Sequence, residues 1–189
     1  MSVFRFLRLR AALVGIASAT LACSGAAAAA ASPTSIDFTI QIDHSVTNFV
    51  TCPPGTPANV ILCGYGANES ITNATNSAGD AGLTGSTMRV SFASELEAPT
   101  TVPGGCAMQF QDASAVTLKT TRGDIYLVTR GAYCASTNTD VEPFVIVGGT
   151  GAYTGATGSG VVNAYQSAAP TPTQGFSVDA YTGTLIPAR

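Results

Sequence analysis

The sequence has no tryptophan, one lysine (Lys119) and one histidine (His44) among 189 residues, and only 10% of its residues are charged. Each shortage excludes something. Beyond an N-terminal leader, five basic groups stand against eleven acidic ones, a formal charge of −6. No basic stripe is left for a phosphate backbone, so nucleic acid is not an expected partner. The same balance gives no attraction to anionic membranes. A single imidazole cannot build a histidine-rich metal site, and no C-x-x-C spacing offers a thiolate pair, so neither metal nor cofactor is expected. His44 is also the one imidazole that could activate a Cys or Ser nucleophile, and no G-x-S-x-G elbow accompanies it. No apolar run approaches the roughly 20 residues of a membrane helix. Helix formers are scarce too: past the leader there are six Leu and four Glu against 24 Thr and 18 Gly. That balance favours strands.

The leader accounts for the apparent alanine richness. Met1–Arg10 carries three Arg and no acid, Ala11–Ala22 is apolar, and Gly25–Ala31 is a run of small residues. Charged start, short apolar stretch and A-x-A exit describe a secretory signal peptide. The expected division is a cleaved leader over residues 1–31 and one domain over 32–189, in a secreted or periplasmic protein of bacterial look. Thr20-Leu21-Ala22-Cys23 leaves one alternative open, a lipoprotein anchored through Cys23.

Four cysteines follow: Cys52, Cys63, Cys106 and Cys134. An even count in an exported chain reads as disulfides. Of the three possible pairings, Cys52–Cys63 with Cys106–Cys134 is preferred. The first would staple the loop Pro53-Pro54-Gly55-Thr56-Pro57, and the second would tie a loop to a strand end.

Ile36–Asp43 alternates strictly, with Ile36, Phe38, Ile40 and Ile42 on one face and Asp37, Thr39, Gln41 and Asp43 on the other. That is a strand with one buried face. Shorter runs at Asn48–Cys52 and Asn59–Tyr65, the alternating Ser86–Leu96, then Ala115–Thr120, Ile125–Tyr133, Val141–Val147, Gly158–Gln166 and Phe176–Ile186 also read as strands. Asn68–Gly85 reads as loop or weak strand. Thr121-Arg122-Gly123-Asp124 is a hairpin turn. About eight short strands with turn-rich connections predict an all-β sandwich or barrel.

The densest motif is Val147-Gly148-Gly149-Thr150-Gly151-Ala152-Tyr153-Thr154-Gly155-Ala156-Thr157-Gly158-Ser159-Gly160. A dinucleotide fingerprint needs a helix directly after the glycines and an acid about 20 positions on. Gly155, Gly158 and Gly160 occupy that would-be helix, and the next acid is Asp179. The glycines instead permit a tight turn with positive φ, with Tyr153 tucked against the end of the fold. With the preceding Phe144-Val145-Ile146 and the later Tyr181-Thr182-Gly183-Thr184-Leu185, this stretch resembles the allene oxide cyclase and dirigent-like barrels. The resemblance spans residues about 115–186. It implies a single antiparallel eight-stranded calycin-like barrel, trimeric in some relatives, with an apolar cavity serving cyclisation of oxidised fatty acids or steering of radical coupling. It supplies no catalytic residue for this chain, and the oligomeric state stays open.

Candidate site residues are few. Tyr126 and Arg130 lie four apart in one strand, share a face, and could orient a ligand carbonyl or carboxylate if that face lines the cavity. Tyr153 is a third candidate. Glu95 and Glu97, two apart on one face, read as solvated acids, as do Asp37 and Asp43. Asp43-His44 reads as a loop pair, Arg122 and Asp124 as turn residues, and the sequons Asn68-Glu69-Ser70 and Asn73-Ala74-Thr75 as chance. The expected function is a barrel binding a small apolar ligand. Two alternatives stand beside it: a cyclase, isomerase or dirigent-like enzyme acting on an apolar oxygenated substrate, and a structural protein with a packed interior.

Overall fold

The alternation that begins at Ile36 continues further than Asp43. Ile36–Val50 is one strand, β1, and its inward set passes from Ile36, Phe38, Ile40 and Ile42 across a bulge between Ile42 and Ser45 to Ser45. The structure, a computed structural model, describes residues 35–71, 73–76, 81–83, 88–100, 105–106, 108–168, 171 and 173–188. The expected leader and Cys23 lie outside those residues, as do the side chains of Asp43 and His44 and, in the two sequons, those of Asn68, Ser70, Asn73, Ala74 and Thr75. The remaining strands are β2 (Val60–Ser70), β3 (Asn73–Asn76), β4 (Arg89–Glu97), β5 (Gln109–Thr120), β6 (Gly123–Cys134), β7 (Thr139–Gly149), β8 (Thr157–Ala168) and β9 (Gln174–Ile186). No helix among the described residues is long and apolar enough to cross a membrane.

All pairings are antiparallel, in the order β2-β4-β5-β6-β7-β8-β9-β1, and a β1–β2 pairing closes the eight strands into a ring. This is the all-β, eight-stranded antiparallel arrangement expected from the sequence. Seven of the eight junctions carry long ladders. The eighth, on the free edge of β1, is divided. Asn48, Phe49 and Val50 pair with Tyr65, Gly64 and Cys63 of β2, while Phe38 to Gln41 pair with β3. Between these two short ladders the Val46 N–H donates to Glu69 Oε1 at 2.8 Å. A carboxylate thus accepts a bond where the seam has no backbone partner.

One end of the ring is filled. The Phe144 ring lies between Phe38 and Tyr181, with centroids 6.1 and 6.3 Å away. It occupies the space left by Gly160 and Gly183, which face each other across β8 and β9. Leu118, Ile125, Leu127, Ile146 and Leu185 pack beside it. The glycine motif then turns through positive φ at Gly148, Gly151 and Gly155. A short 3-10 turn, Gly151–Tyr153, drops Tyr153 into full burial there, as the motif suggested.

The other end holds the disulfides. Cys52–Cys63 and Cys106–Cys134 are both formed, as preferred from the sequence. β5 starts at Gln109, well before the expected Ala115, because Gln109–Ser114 is polar enough to hide its alternation. The stretch Asn68–Gly85, expected as loop or weak strand, contains the end of β2, all of the short β3 and a 3-10 turn, Ala81–Leu83.

Glu69→Ala should lower the free energy of unfolding by about 1–3 kcal/mol, because it leaves the Val46 N–H without its acceptor. Glu69→Gln keeps an accepting oxygen and should stay close to wild type. Urea unfolding of both variants checks this; equal losses in the two would show that the seam depends on charge and not on the bond.

Candidate functional site

Inward side chains change character along each strand. On β5 the inward series is Phe110, Asp112, Ser114, Val116 and Leu118, running from the disulfide end to the filled end. On β7 it is Asp140, Glu142, Phe144 and Ile146, and on β9 Ser177, Asp179, Tyr181 and Leu185. Three levels result: an apolar core, a polar middle, and a wider end with aromatic walls.

The wide end is a cavity of about 520 Å³ lined by Phe49, Leu96, Met108, Phe110, Tyr133 and Phe176, among others. Beneath it lies a polar chamber of about 80 Å³, with Ser114, Glu142, Asp179 and Tyr181 in its wall. Asp112 and Asp140 belong to both spaces. They are the floor of one and the roof of the other.

The acids form a chain. Asp112 lies beside Asp140, and Asp140 beside Glu142. The Thr129 hydroxyl donates to Glu142 Oε2, and Thr129 Oγ1 accepts the Ser114 N–H at 3.1 Å. Ser114 Oγ in turn donates to Ser94 Oγ at 2.9 Å. Beyond this chain, Ser177 Oγ donates to Asp179 Oδ1 at 2.6 Å. Among the described residues, four side-chain oxygens are buried without a hydrogen-bond partner: Ser45 Oγ, Glu69 Oε2, and, where the two spaces meet, Asp112 Oδ1 and Asp140 Oδ1. Gly131 lies opposite Asp112, and a side chain there would meet Glu142 and the β7 backbone.

Carboxyls this close repel one another as anions, and burial adds to the cost of their charge. Burial, then the Glu142 charge, pushes Asp112 up to about 7. Burial and the Asp112 charge push Asp140 up to about 7. Burial and the Asp140 charge push Glu142 up to about 8, against the lowering effect of Thr129. Burial also raises Asp179, and raises Tyr181 well above its ordinary value. Such groups are poised to exchange protons near neutrality. Asp112, Asp140 and Glu142 have carboxylate oxygens all within 4.8 Å of one another. They could gather around a hard divalent cation only by giving up the protons that burial favours.

The residues expected to form a site lie elsewhere. Tyr126 and Arg130 do share a face, but it is the outer one, where Val128 is also exposed; Ile125, Leu127 and Thr129 take the inner positions. Arg130 Nη2 pairs with Glu97 Oε1 at 3.1 Å on that outer surface. Tyr153 is in the filled end, with Arg122 over its ring at 6.0 Å. None of the three lines the wide cavity or the chamber. Asp37 is exposed and accepts from Thr184 Oγ1 at 2.9 Å.

The acid chain is hidden in the sequence for a local reason. β7 is apolar on both faces, since Val141, Val145 and Val147 are exposed while Phe144 and Ile146 are buried. The usable signal is parity: Glu142 is in step with Phe144 and Ile146, and Asp112 with Val116 and Leu118.

No family model and no curated protein matches the sequence. Two solved structures are similar in arrangement. The pterocarpan synthase dirigent protein GePTS1 is 15% identical, over 82% of this chain and 85% of that one, with a TM-score of 0.43. The pterocarpan synthase dirigent protein PsPTS1 is 16% identical, over 82% of this chain and 96% of that one, with a TM-score of 0.42.

The raised carboxyls make stability depend on pH with a definite sign. Asp112, Asp140 and Glu142 hold protons in the folded state up to about 7 or 8, but in the unfolded chain only up to 3.8 or 4.5. Folding therefore takes up protons in that window, and stability falls as pH rises through it. Every tenfold gain in a carboxyl's proton affinity on folding corresponds to about 1.4 kcal/mol of stability lost across the window. The melting temperature should be lower at pH 8 than at pH 5.5. Glu142→Gln should raise it at pH 8 and flatten the profile. A calorimetric melting temperature that climbs from pH 5.5 to 8 would contradict this account.

Proposed function

We propose that the protein is an enzyme for a small apolar substrate bearing an oxygen function, on which Asp112 and Asp140 move protons in an isomerisation or ring closure. The observation that carries this reading is the position of those two carboxyls, at the floor of an apolar cavity and the roof of a polar chamber. Burying the hydrocarbon body against Phe49, Phe110 and Phe176 would contribute about 25 cal/mol per Å² of apolar surface. The substrate's polar oxygen then reaches a protonated carboxyl instead of water.

The step conserves atoms and electrons. The carboxyl O–H bond breaks and its proton passes to an epoxide oxygen of the substrate, whose bond to one ring carbon breaks with both electrons going to the oxygen. A double bond or hydroxyl of the same molecule attacks that carbon. The proton displaced from the substrate then returns to a carboxylate of the chain. Acids near pH 7 suit both halves, because each is present partly as acid and partly as base. Glu142, bonded to Thr129 and beside Asp140, acts as a positioning residue. Substrate and product are isomers, so no oxidant or second substrate is required.

A second reading, binding of an apolar ligand without chemistry, is favoured by the width of the aromatic end alone. Two disulfides suit an oxidising compartment, and we place the mature protein there, in the periplasm, outside the cell, or anchored through Cys23.

The two readings separate experimentally. N-phenyl-1-naphthylamine, a neutral fluorophore, should brighten on binding to wild type and equally with Asp112→Asn and Asp140→Asn. A panel of apolar vinyl epoxides should be converted without change of molecular mass. Conversion should fall by about 10²–10⁴-fold in either variant, the usual size of a general-acid contribution. Binding without any mass-neutral conversion by wild type would leave the carrier reading in its place.

A further inference from the structure

The ionisable groups inside the ring are all acids. Asp112 from β5, Asp140 and Glu142 from β7, and Asp179 from β9 line the two spaces, and Glu69 of β2 sits in the seam beside Ser45. The ionisable groups next to them are Tyr133 and Tyr181, which are neutral when protonated. No Lys, Arg or His is among the described residues that line either space. An anionic ligand would meet like charge in a poorly solvated cavity with no counter-ion, so anions are selected against.

What remains unsatisfied is an acceptor. Asp112 Oδ1 and Asp140 Oδ1 are both buried and unpartnered, at the one level where the apolar cavity meets the acids. Burying such oxygens without a donor is costly. Above them stand four aromatic rings: Phe49, Phe110, Tyr133 and Phe176. Phe110 and Tyr133 are neighbours, 6.0 Å between centroids. Aromatic faces attract cations, most strongly where water is excluded. An inorganic cation would suit the oxygens but leave about 520 Å³ of largely apolar space unused. A nitrogen cation with a hydrocarbon body suits both.

We propose that the wide end of the ring is a binding site for an apolar organic ammonium ion, with its N–H groups on Asp112 and Asp140 and its hydrocarbon body against Phe110, Tyr133 and Phe176. The proposal goes beyond the proton-transfer reading and stands apart from it. Such an ion could be a substrate, or it could block the cavity.

Three probes of one shape test it: 2-naphthylmethylammonium, 2-naphthylmethanol and 2-naphthoate, titrated calorimetrically into the intact mature protein at neutral pH. The ammonium should bind about tenfold or more tightly than the alcohol, the effect of one charge-assisted hydrogen bond to a buried carboxylate. The naphthoate should give no measurable heat. The double variant Asp112→Asn/Asp140→Asn should bind the alcohol as before and lose the preference. Equal affinity for ammonium and alcohol, binding of naphthoate, or a preference that survives in the double variant overturns the proposal. So does displacement of the ammonium by calcium chloride at lower concentration than the ammonium itself requires, because the acids would then serve an inorganic cation. If the double variant does not fold, the wild-type comparison of the three probes still decides. Failure of the proton-transfer reading appears as absent turnover, which this charge preference neither requires nor prevents.

Discussion

Everything inside this protein depends on how β1 closes the ring. Seven junctions carry long ladders, but the eighth rests on three residue pairs with β2 and four with β3. Between them a single carboxylate, Glu69, receives the Val46 N–H. An unclosed sheet would expose two edges and drain its interior to water. Closure makes the middle level dry, and dryness is the first cause of every raised acid there. The Cys52–Cys63 bridge lies immediately past the β1–β2 ladder and holds its two strands together where they would otherwise part.

Given a closed ring, the size of each inward side chain decides what the interior becomes. Phe144 set into the gap of Gly160 and Gly183, with Leu118, Leu127 and Leu185, leaves the filled end no room. Ser94, Ser114 and Ala164 are too small to meet across the ring, so a chamber opens at their level. The acids in that chamber work against stability at neutral pH, because none has a cationic partner among the lining residues. A fold rarely keeps such a conflict except where it serves a site.

Much of this architecture is legible in residues. The alternation of Ile36–Asp43, the turn at Thr121–Asp124, the Cys pairing and the bend at Gly148–Gly155 all follow from local chemistry, and local chemistry is what a sequence displays. The site is not legible, for two physical reasons. Spacing in a strand tells which residues share a face but not which face is inside, so Tyr126 and Arg130 group correctly yet stand on the side away from the cavity. And an acid in a sequence looks like surface. An excess of acids over bases suggests a solvated exterior, whereas Asp112, Asp140, Glu142 and Asp179 turn inward. On β7 the flanking valines conceal Glu142 by making both faces apolar.

The plugged end has a kinetic meaning. Tyr153 and the core beneath it fill the end of the ring away from the disulfides. Under the proposed function, a molecule that enters from the wide end would back out by the same door and hold off its successor until it leaves. On the same reading, a guest longer than the space above Asp112 would trail its far end in solvent, and two guests that differ only in that tail would be the same guest to this protein.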